Sequence, residues 1–445
     1  MSINYSSRKI YKNSAVSVVC KGISAILSFI SSPLILQCLG ESKYGVWASL
    51  LSLVSWIYYF DLGIGAGLRI RLSESLAKED IDGAQKYIST AYIIISRISL
   101  VAFAVAFIAT RVVDLPGILN IKNLDENINV IFLVAILFVC INFVLSLINN
   151  VFYANQRASA VDILSVLGQS CYVLGLFIYS RTGNGLILAI TIIEGMAQII
   201  KNVVGTIWAR ESYPNCRISL LKYDKKYSSG ILSFGLMSFI SSIAAMVLNS
   251  TDNLIIIHYF GAEAVTPYNF CYKYFGMISS IFMVIVIPLQ SAYTVANQKD
   301  DYTWIVKNLK RAILLWCIFT CGTVLAAFIF RPFMSLWLGR KLNYSNGLIF
   351  FTALYCILLM VGHTFSTLTN GLGKITETTI AALFQAIVNI PVSILLAVNA
   401  GMGVVGVIIG SVISMMIAAI VTPAVAFREI KNMKKRHYEK ESING

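Results

Sequence analysis

A chain of 445 residues that is 57% hydrophobic and only 13% charged does not describe a soluble protein. Globular domains run roughly 45–50% apolar and about 25% charged, whereas the mean hydropathy here is +0.76. A water-soluble multidomain enzyme is excluded, and so is a disordered or nucleic-acid-binding basic protein, although the formal net charge is +14. The expected fold is all-α and polytopic, because apolar stretches of about 20 residues, enough to cross a bilayer, alternate with short polar joints.

Twelve such stretches fall at 13–37, 46–68, 89–110, 128–151, 161–179, 185–208, 229–258, 264–290, 311–330, 347–370, 376–398 and 404–427. An even number puts both termini on one side. The charged start (Arg8, Lys9, Lys12) precedes a span-length apolar run with no small-residue cleavage site, so it reads as a first span and not as a signal peptide. Of the 35 Lys and Arg, 24 fall on the side shared with the termini, 7 on the opposite side and 4 inside spans. Cytoplasmic loops retain positive charge, so both termini are expected in the cytoplasm of a multi-pass protein of the bacterial inner membrane. The basic tail (Lys431, Lys434, Lys435, Arg436) orients the last span and meets anionic membrane lipid.

Polar residues at helical spacing inside a span must face protein or water. The first span carries Ser14, Ser17, Lys21, Ser24, Ser28 and Ser31, with Pro33 as a candidate hinge on the same helix. At about 1.5 Å per residue, Lys21 lies roughly 12 Å in from the cytoplasmic end. Asp61 ends the second span among Gly63, Gly65 and Gly67, and Arg69 and Arg71 mark its cytoplasmic mouth. Arg97 sits eight residues into the third span, and Asp162 stands near the start of the fifth. The sixth carries Glu194, Gln198, Lys201 and Asn202; the seventh Ser238, Ser241, Ser242, Asn249, Asp252 and Asn253; the eighth Lys273.

Tight packing through small residues would account for the serines alone. Each intramembrane charge, however, costs about 2.5–3.5 kcal/mol on insertion scales. A central cationic cavity lined by Lys21, Arg97, Lys273, Arg69 and Arg71 is the simplest arrangement that keeps them from lipid. For the acids two readings stand. Asp252 pairs with Lys273 and Glu194 with Lys201, or one of Asp61, Glu194 and Asp252 takes up and releases a proton as desolvation disfavours its charge; Asp61 is the first choice.

An internal repeat divides the chain. Leu39-Gly40-Glu41 near the outer end of the first span matches Phe260-Gly261-Ala262 near that of the seventh, an offset of 221. Asn155 parallels Asn370 at an offset of 215, followed by Gln169 and Gln385. Six spans separate the partners, so the repeat is parallel. The expected domains are an N-terminal lobe at 1–210, a cytoplasmic linker at 211–228, a C-terminal lobe at 229–428 and a basic tail at 429–445.

Bond-making chemistry finds little support. The three histidines (His258, His363, His437) are too scattered for a metal triad. The nine cysteines show no paired CxxC spacing. Gly371-Leu372-Gly373-Lys374 lacks the leading glycine and following Ser/Thr of a P-loop. No metal or organic cofactor is expected.

Several segments together resemble Wzx-type O-antigen flippases, of the polysaccharide transporter branch of the multidrug/oligosaccharidyl-lipid/polysaccharide (MOP) superfamily. They are Asn13-Ser14 opening the first span, Pro33-Leu34-Ile35-Leu36 before the Leu39-Gly40 to Tyr44-Gly45-Val46-Trp47 turn, Asp61-Leu62-Gly63-Ile64-Gly65, the Arg69-to-Ala77 stretch, and Thr251-Asp252-Asn253. The resemblance implies two six-helix lobes around a central cavity. It also implies movement of an undecaprenyl-pyrophosphate-linked oligosaccharide repeat unit from the cytoplasmic to the periplasmic leaflet. Alternating access would drive it, with H+ or Na+ as a coupling ion in some members. Lys21, Arg97 and Lys273 fit the family's cationic cavity role. An O-antigen polymerase and a chain-length regulator are partners expected from the resemblance. A multidrug/cation antiporter of the same fold would want an acid-rich lumen. A membrane-embedded sugar-transferring enzyme and an assembly component that holds partner enzymes are the readings from other classes.

Overall fold

The computed structural model describes residues 7–59, 63–121, 124–181, 184–216, 222–232 and 235–444, without the side chains of 7–15, 232, 235–242, 245, 249 and 436–444. The described residues are overwhelmingly helical, as the composition and apolar runs predict. In chain order the helices are α1 (Ser7–Val54), α2 (Trp56–Tyr59), α3 (Ile64–Ala77), α4 (Ile81–Val112), α5 (Leu115–Ile118), α6 (Ile128–Leu145), α7 (Ile148–Ala154), α8 (Ala158–Tyr179) and α9 (Ile187–Ser212). They continue with α10 (Lys226–Leu232), α11 (Gly235–Phe260), α12 (Ala262–Val286), α13 (Leu289–Gln298), α14 (Tyr302–Leu338), α15 (Asn346–Gly371), α16 (Ile375–Ile394) and α17 (Val404–Asn444).

Among the described residues, ten helical stretches are long and apolar enough to cross a membrane. The twelve expected runs differ from this number for identifiable reasons. The first two share the stretch Val16–Tyr59, because only Gly40 (φ 73, ψ 177) departs from helical geometry inside α1. The seventh run falls on α11, part of which has no described side chains. Outward-facing apolar side chains mark the lipid contact: Phe328 on α14 is 81% exposed and Leu336 84%, an inversion of soluble packing.

The helices pack as two units, Met1–Ile243 with Gly261–Glu263, and Ala244–Phe260 with Ala264–Gly445. In the first, α1 packs on α8, α6 lies between α4 and α9, and α3 pairs with α4. Leu68 and Leu72 of α3, Ile88 and Ile95 of α4, Val151 and Phe152 of α7 and Ile231 of α10 share one buried cluster. In the second, α15 and α16 both pack along α17. Phe282, Val286 and Met360 form one core cluster there, and Tyr293, Ile305, Leu368 and Ala426 another.

The repeat is visible in the backbone of each unit. Gly40 and Gly261 both adopt positive φ, 73° and 82°, which a side chain would strain. The hairpin between α3 and α4 turns at Glu79 (φ 57), with the Asp80 N–H donating to Ser75 O and the Asp80 carboxylate capping Gly83 N at 2.8 Å. The hairpin between α13 and α14 repeats it at the same offset of 221. Asp300 has φ 53, Asp301 N–H donates to Ala296 O, and the Asp301 carboxylate caps Trp304 N at 2.9 Å. The later register is corrected. Gln156 (φ 58) and Arg157, whose N–H donates to Phe152 O, correspond to Gly373 (φ 80) and Lys374, whose N–H donates to Thr369 O. That offset is 217, so Asn155 matches Leu372 and not Asn370. The polar turn residues attract the eye in sequence, but the left-handed residue fixes the turn.

Candidate functional site

The basic residues are held differently from one another. Lys21 is exposed on α1 and makes no hydrogen bond or ion pair among the described residues. Its stripe becomes buried toward Ser31, and the Ser31 and Ser32 hydroxyls donate back to Ser28 O at 2.8 and 3.2 Å. Arg69, exposed on α3, lies 5.1 Å from the centre of the Tyr153 ring. Arg71, one helical face further round, is half-buried; its guanidinium donates to Glu74 at 2.8 Å and to Gly230 O at 3.2 Å. Arg97 on α4 lies over the Tyr223 ring at 5.2 Å.

Tyr223 and Gly230 belong to the segment Lys222–Leu232, which lies within the first unit. Arg71 and Arg97 thus each meet that segment, at positions seven residues apart, while Lys21 on α1 and Arg69 do not. Lys273 is half-buried on α12 of the second unit. Pro33 lies inside α1, whose only non-helical residue is Gly40, seven residues later. Asp61 lies outside the described residues.

The acids do not pair as the charge-pairing reading expects. Asp252 is buried on α11 and accepts from neutral hydroxyls, Tyr268 Oη and Ser411 Oγ, the latter at 2.9 Å. No ion pair joins Asp252 to Lys273 among the described residues. The reason is geometric: Tyr268, nearly two turns into α12, faces α11, whereas Lys273 lies five residues on, at roughly 140° around the helix. The network extends inward. Asn389 Nδ2 of α16 donates to Ser411 and Ser414 of α17 at 3.0 and 3.2 Å, and Thr251 Oγ1 donates to Asn389 Oδ1 at 3.5 Å. The Asp252 Oδ1 atom is buried with no hydrogen-bonding group of the protein on it. One carboxylate thus accepts from hydroxyls of two other helices, with an amide behind them, and forms no ion pair among the described residues.

Glu194 and Lys201 likewise form no ion pair among the described residues. The Lys201 stem packs against Gly168, where an added Cβ would approach it to 3.1 Å. Their neighbour Asn202 is buried and donates to Asn142 Oδ1 at 3.1 Å, and Asn142 donates to Gly195 O at 3.2 Å. This part of the sixth-span stripe is interhelical bonding.

Sequence reasoning missed several of these partners. Asn389, Ser411 and Ser414 lie in long apolar runs; the four-residue spacing of Gln385, Asn389 and Ser393 and the three-residue spacing of the two serines were the available signals. Glu126, in the loop before α6, was also missed. Its carboxylate accepts from Ile187 N and Leu188 N at 2.9 and 3.0 Å, capping α9, with Lys43 at 3.6 Å. Lys43 also donates to Gly185 O at 3.0 Å, so the part of α1 just after Gly40 is tied to the starts of α6 and α9. Outside the membrane, burial pushes the Cys216 thiol up from its ordinary range, and burial does the same for the Tyr213 phenol.

Known proteins place this arrangement. The family described as polysaccharide biosynthesis protein matches residues 10–293. A Salmonella typhimurium protein named for O-antigen transport is 22% identical over 76% of this chain and 78% of its own length. A Yersinia pseudotuberculosis protein named for O-antigen export is 21% identical over 89% of this chain and 90% of its own. Both names denote movement of a polysaccharide and not a bond-making activity. Among solved structures, an inward-facing multidrug resistance MATE family transporter of the MOP superfamily superimposes with a TM-score of 0.76. It is 16% identical, over 94% of this chain and 99% of that one. A MOP superfamily transporter from Pyrococcus furiosus, described as having a binding pocket of reversed polarity that suggests a different function, gives 0.64 at 15% identity, over 96% of each chain. The chain therefore belongs to the polysaccharide biosynthesis protein family and has the fold of the MOP-superfamily transporters.

Proposed function

We propose that the protein is an O-antigen or polysaccharide transporter that moves an undecaprenyl-pyrophosphate-linked oligosaccharide from the cytoplasmic to the periplasmic leaflet of the bacterial inner membrane. One observation carries the reading: none of Lys21, Arg69 and Arg97 forms an ion pair among the described residues. Basic groups on membrane helices that are not neutralised by acids are suited to an anionic guest. A pyrophosphate desolvated among them gains charge-assisted hydrogen bonds, roughly twice as strong as neutral ones. With Lys273 they are the basic groups proposed to meet the cargo as it passes by alternating access. With the cytoplasm negative, outward movement of an anion gains about 2.3 kcal/mol per charge per 100 mV, so the protein's task is to lower the barrier and then release the cargo.

The same basic lining disfavours a multidrug/cation antiporter, and the relatives' names disfavour an enzyme. Coupling to H+ or Na+ falls to Asp252, a buried acid on a membrane helix that accepts from neutral hydroxyls; a buried carboxylate with no counter-charge is made neutral by a proton or balanced by a metal cation. An O-antigen polymerase and a chain-length regulator are the proposed partners, and both termini face the cytoplasm.

The test is removal of the protein from cells. The lipid-linked repeat unit is expected to accumulate in the cytoplasmic leaflet and surface polysaccharide to be lost. Unchanged surface polysaccharide with a lowered tolerance to organic cations would overturn the proposal in favour of the antiporter.

A further inference from the structure

The segment Lys222–Leu232 belongs to the first unit and lies docked on its α3–α4 hairpin. Its attachment is built from separate, mostly polar contacts. Lys222 Nζ pairs with Asp82 at 2.8 Å, an acid it shares with Lys86, also at 2.8 Å. Thr90, wholly buried, uses its hydroxyl twice, donating to Asp224 O and accepting from Asp224 N, each at 3.3 Å. The Tyr223 ring lies against Arg97 at 5.2 Å. Tyr227 stands edge-on to Tyr87 at 4.6 Å, with Lys86 over its ring at 5.7 Å. Gly230 O accepts from Arg71. One apolar anchor completes it: Ile231 is fully buried with Leu68, Leu72 and Ile88. It can seat there because Gly67 has no side chain, since a Cβ at 67 would collide with the Ile231 carbonyl.

Two basic groups of the α3–α4 hairpin are thus engaged by this segment, Arg97 by an aromatic ring and Arg71 by a backbone carbonyl beside its ion pair with Glu74. Exposed ion pairs and cation–π contacts are weak and lose to better electrostatic partners. A pyrophosphate offers both guanidinium groups charge-assisted hydrogen bonds. We propose that this segment is a strap that occupies Arg71 and Arg97 in the resting protein, and that the pyrophosphate head of a polyprenyl lipid displaces it. The inference rests on the transport reading above and adds its regulation. Cargo binding frees the segment from the hairpin, so its release takes place only when an anionic head is present. Tyr223 and Lys222 are then positioning residues that act through Arg97 and Asp82.

Hydrogen exchange of the full chain in nanodiscs, read by mass spectrometry over residues 222–232, tests this with undecaprenyl pyrophosphate as probe and undecaprenol as its uncharged control. Release predicts that exchange in this segment rises about tenfold or more with the pyrophosphate and is unmoved by the alcohol. The double variant Lys222→Ala/Tyr223→Ala, loosened in advance, is expected to bind the pyrophosphate lipid several-fold more tightly than wild type. Binding of the lipid with unchanged exchange overturns the strap while leaving the transport reading standing. An equal response to undecaprenol, or a double variant that binds no more tightly, overturns it too. Failure of the lipid to bind any form overturns both.

Discussion

Asp252 offers the sharpest separation of stability from function. Substituting alanine removes the acceptor used by Tyr268 Oη and Ser411 Oγ, both on buried residues. Each orphaned buried hydroxyl costs about 1–3 kcal/mol, partly offset by relief of carboxylate burial, so Asp252→Ala is expected to lose about 2 kcal/mol net. Asp252→Asn retains an acceptor oxygen in the same position and is expected to stay within about 1 kcal/mol of wild type. What the amide cannot do is take up a proton or balance a metal cation. In proteoliposomes, cargo movement by wild type is expected to respond to an imposed Na+ or proton gradient, and movement by Asp252→Asn to be indifferent to both. Thermal unfolding in detergent supplies the stability arm. An Asp252→Asn protein that retains the wild-type gradient response would refute Asp252 as the coupling group. An unfolding temperature that falls as far as that of Asp252→Ala would refute the hydrogen-bond reasoning.

Further expectations concern the scaffold. Glu126→Ala removes two charge-assisted bonds to the first amides of α9 and should cost about 2–3 kcal/mol, with Glu126→Gln losing less than half as much; equal melting of all three forms would contradict the cap. In a double-mutant cycle, Asn142→Ala and Asn202→Ala should couple by about 0.6 kcal/mol, the average for side-chain hydrogen bonds between membrane helices, and strict additivity would argue against the bond. Gly40→Ala forces a side chain into φ 73, ψ 177 and should lower stability by about 1–3 kcal/mol, whereas Gly22→Ala, in open space on the same helix, should not.

Much of the architecture was legible because a bilayer leaves few options. Backbone groups must be satisfied within each span, so apolar run length alone placed the helices. The Gly40 and Gly261 turns were also legible, since a glycine between two apolar runs marks a backbone that side chains strain. Periodicity placed Asp252 on a polar face and did not say what that face meets. Its partners Tyr268 and Ser411 come from α12 and α17, 16 and 159 residues away, and the spacings of Gln385, Asn389 and Ser393 and of Ser411 and Ser414 mark polar faces without saying which helices they meet. Depth along a helix misled in another way for Arg97. Counting residues from the span's start located its Cα, but the long side chain meets Tyr223 of the linker, a segment that carries few apolar residues and shows no span-like period. Sequence gave no hint of Glu126 either, because a cap's ligand lies in a loop and its target 61 residues on.

The central claim, that basic side chains on the membrane helices carry a pyrophosphate-bearing lipid across, is tested most directly by the leaflet accessibility of an undecaprenyl-pyrophosphate-linked oligosaccharide in proteoliposomes. Wild-type protein should expose the glycan on the opposite leaflet, faster when the loading side is negative. The Lys21→Ala/Arg97→Ala/Lys273→Ala variant, folded to the same melting temperature, should not. Equal movement by the two proteins would contradict the claim.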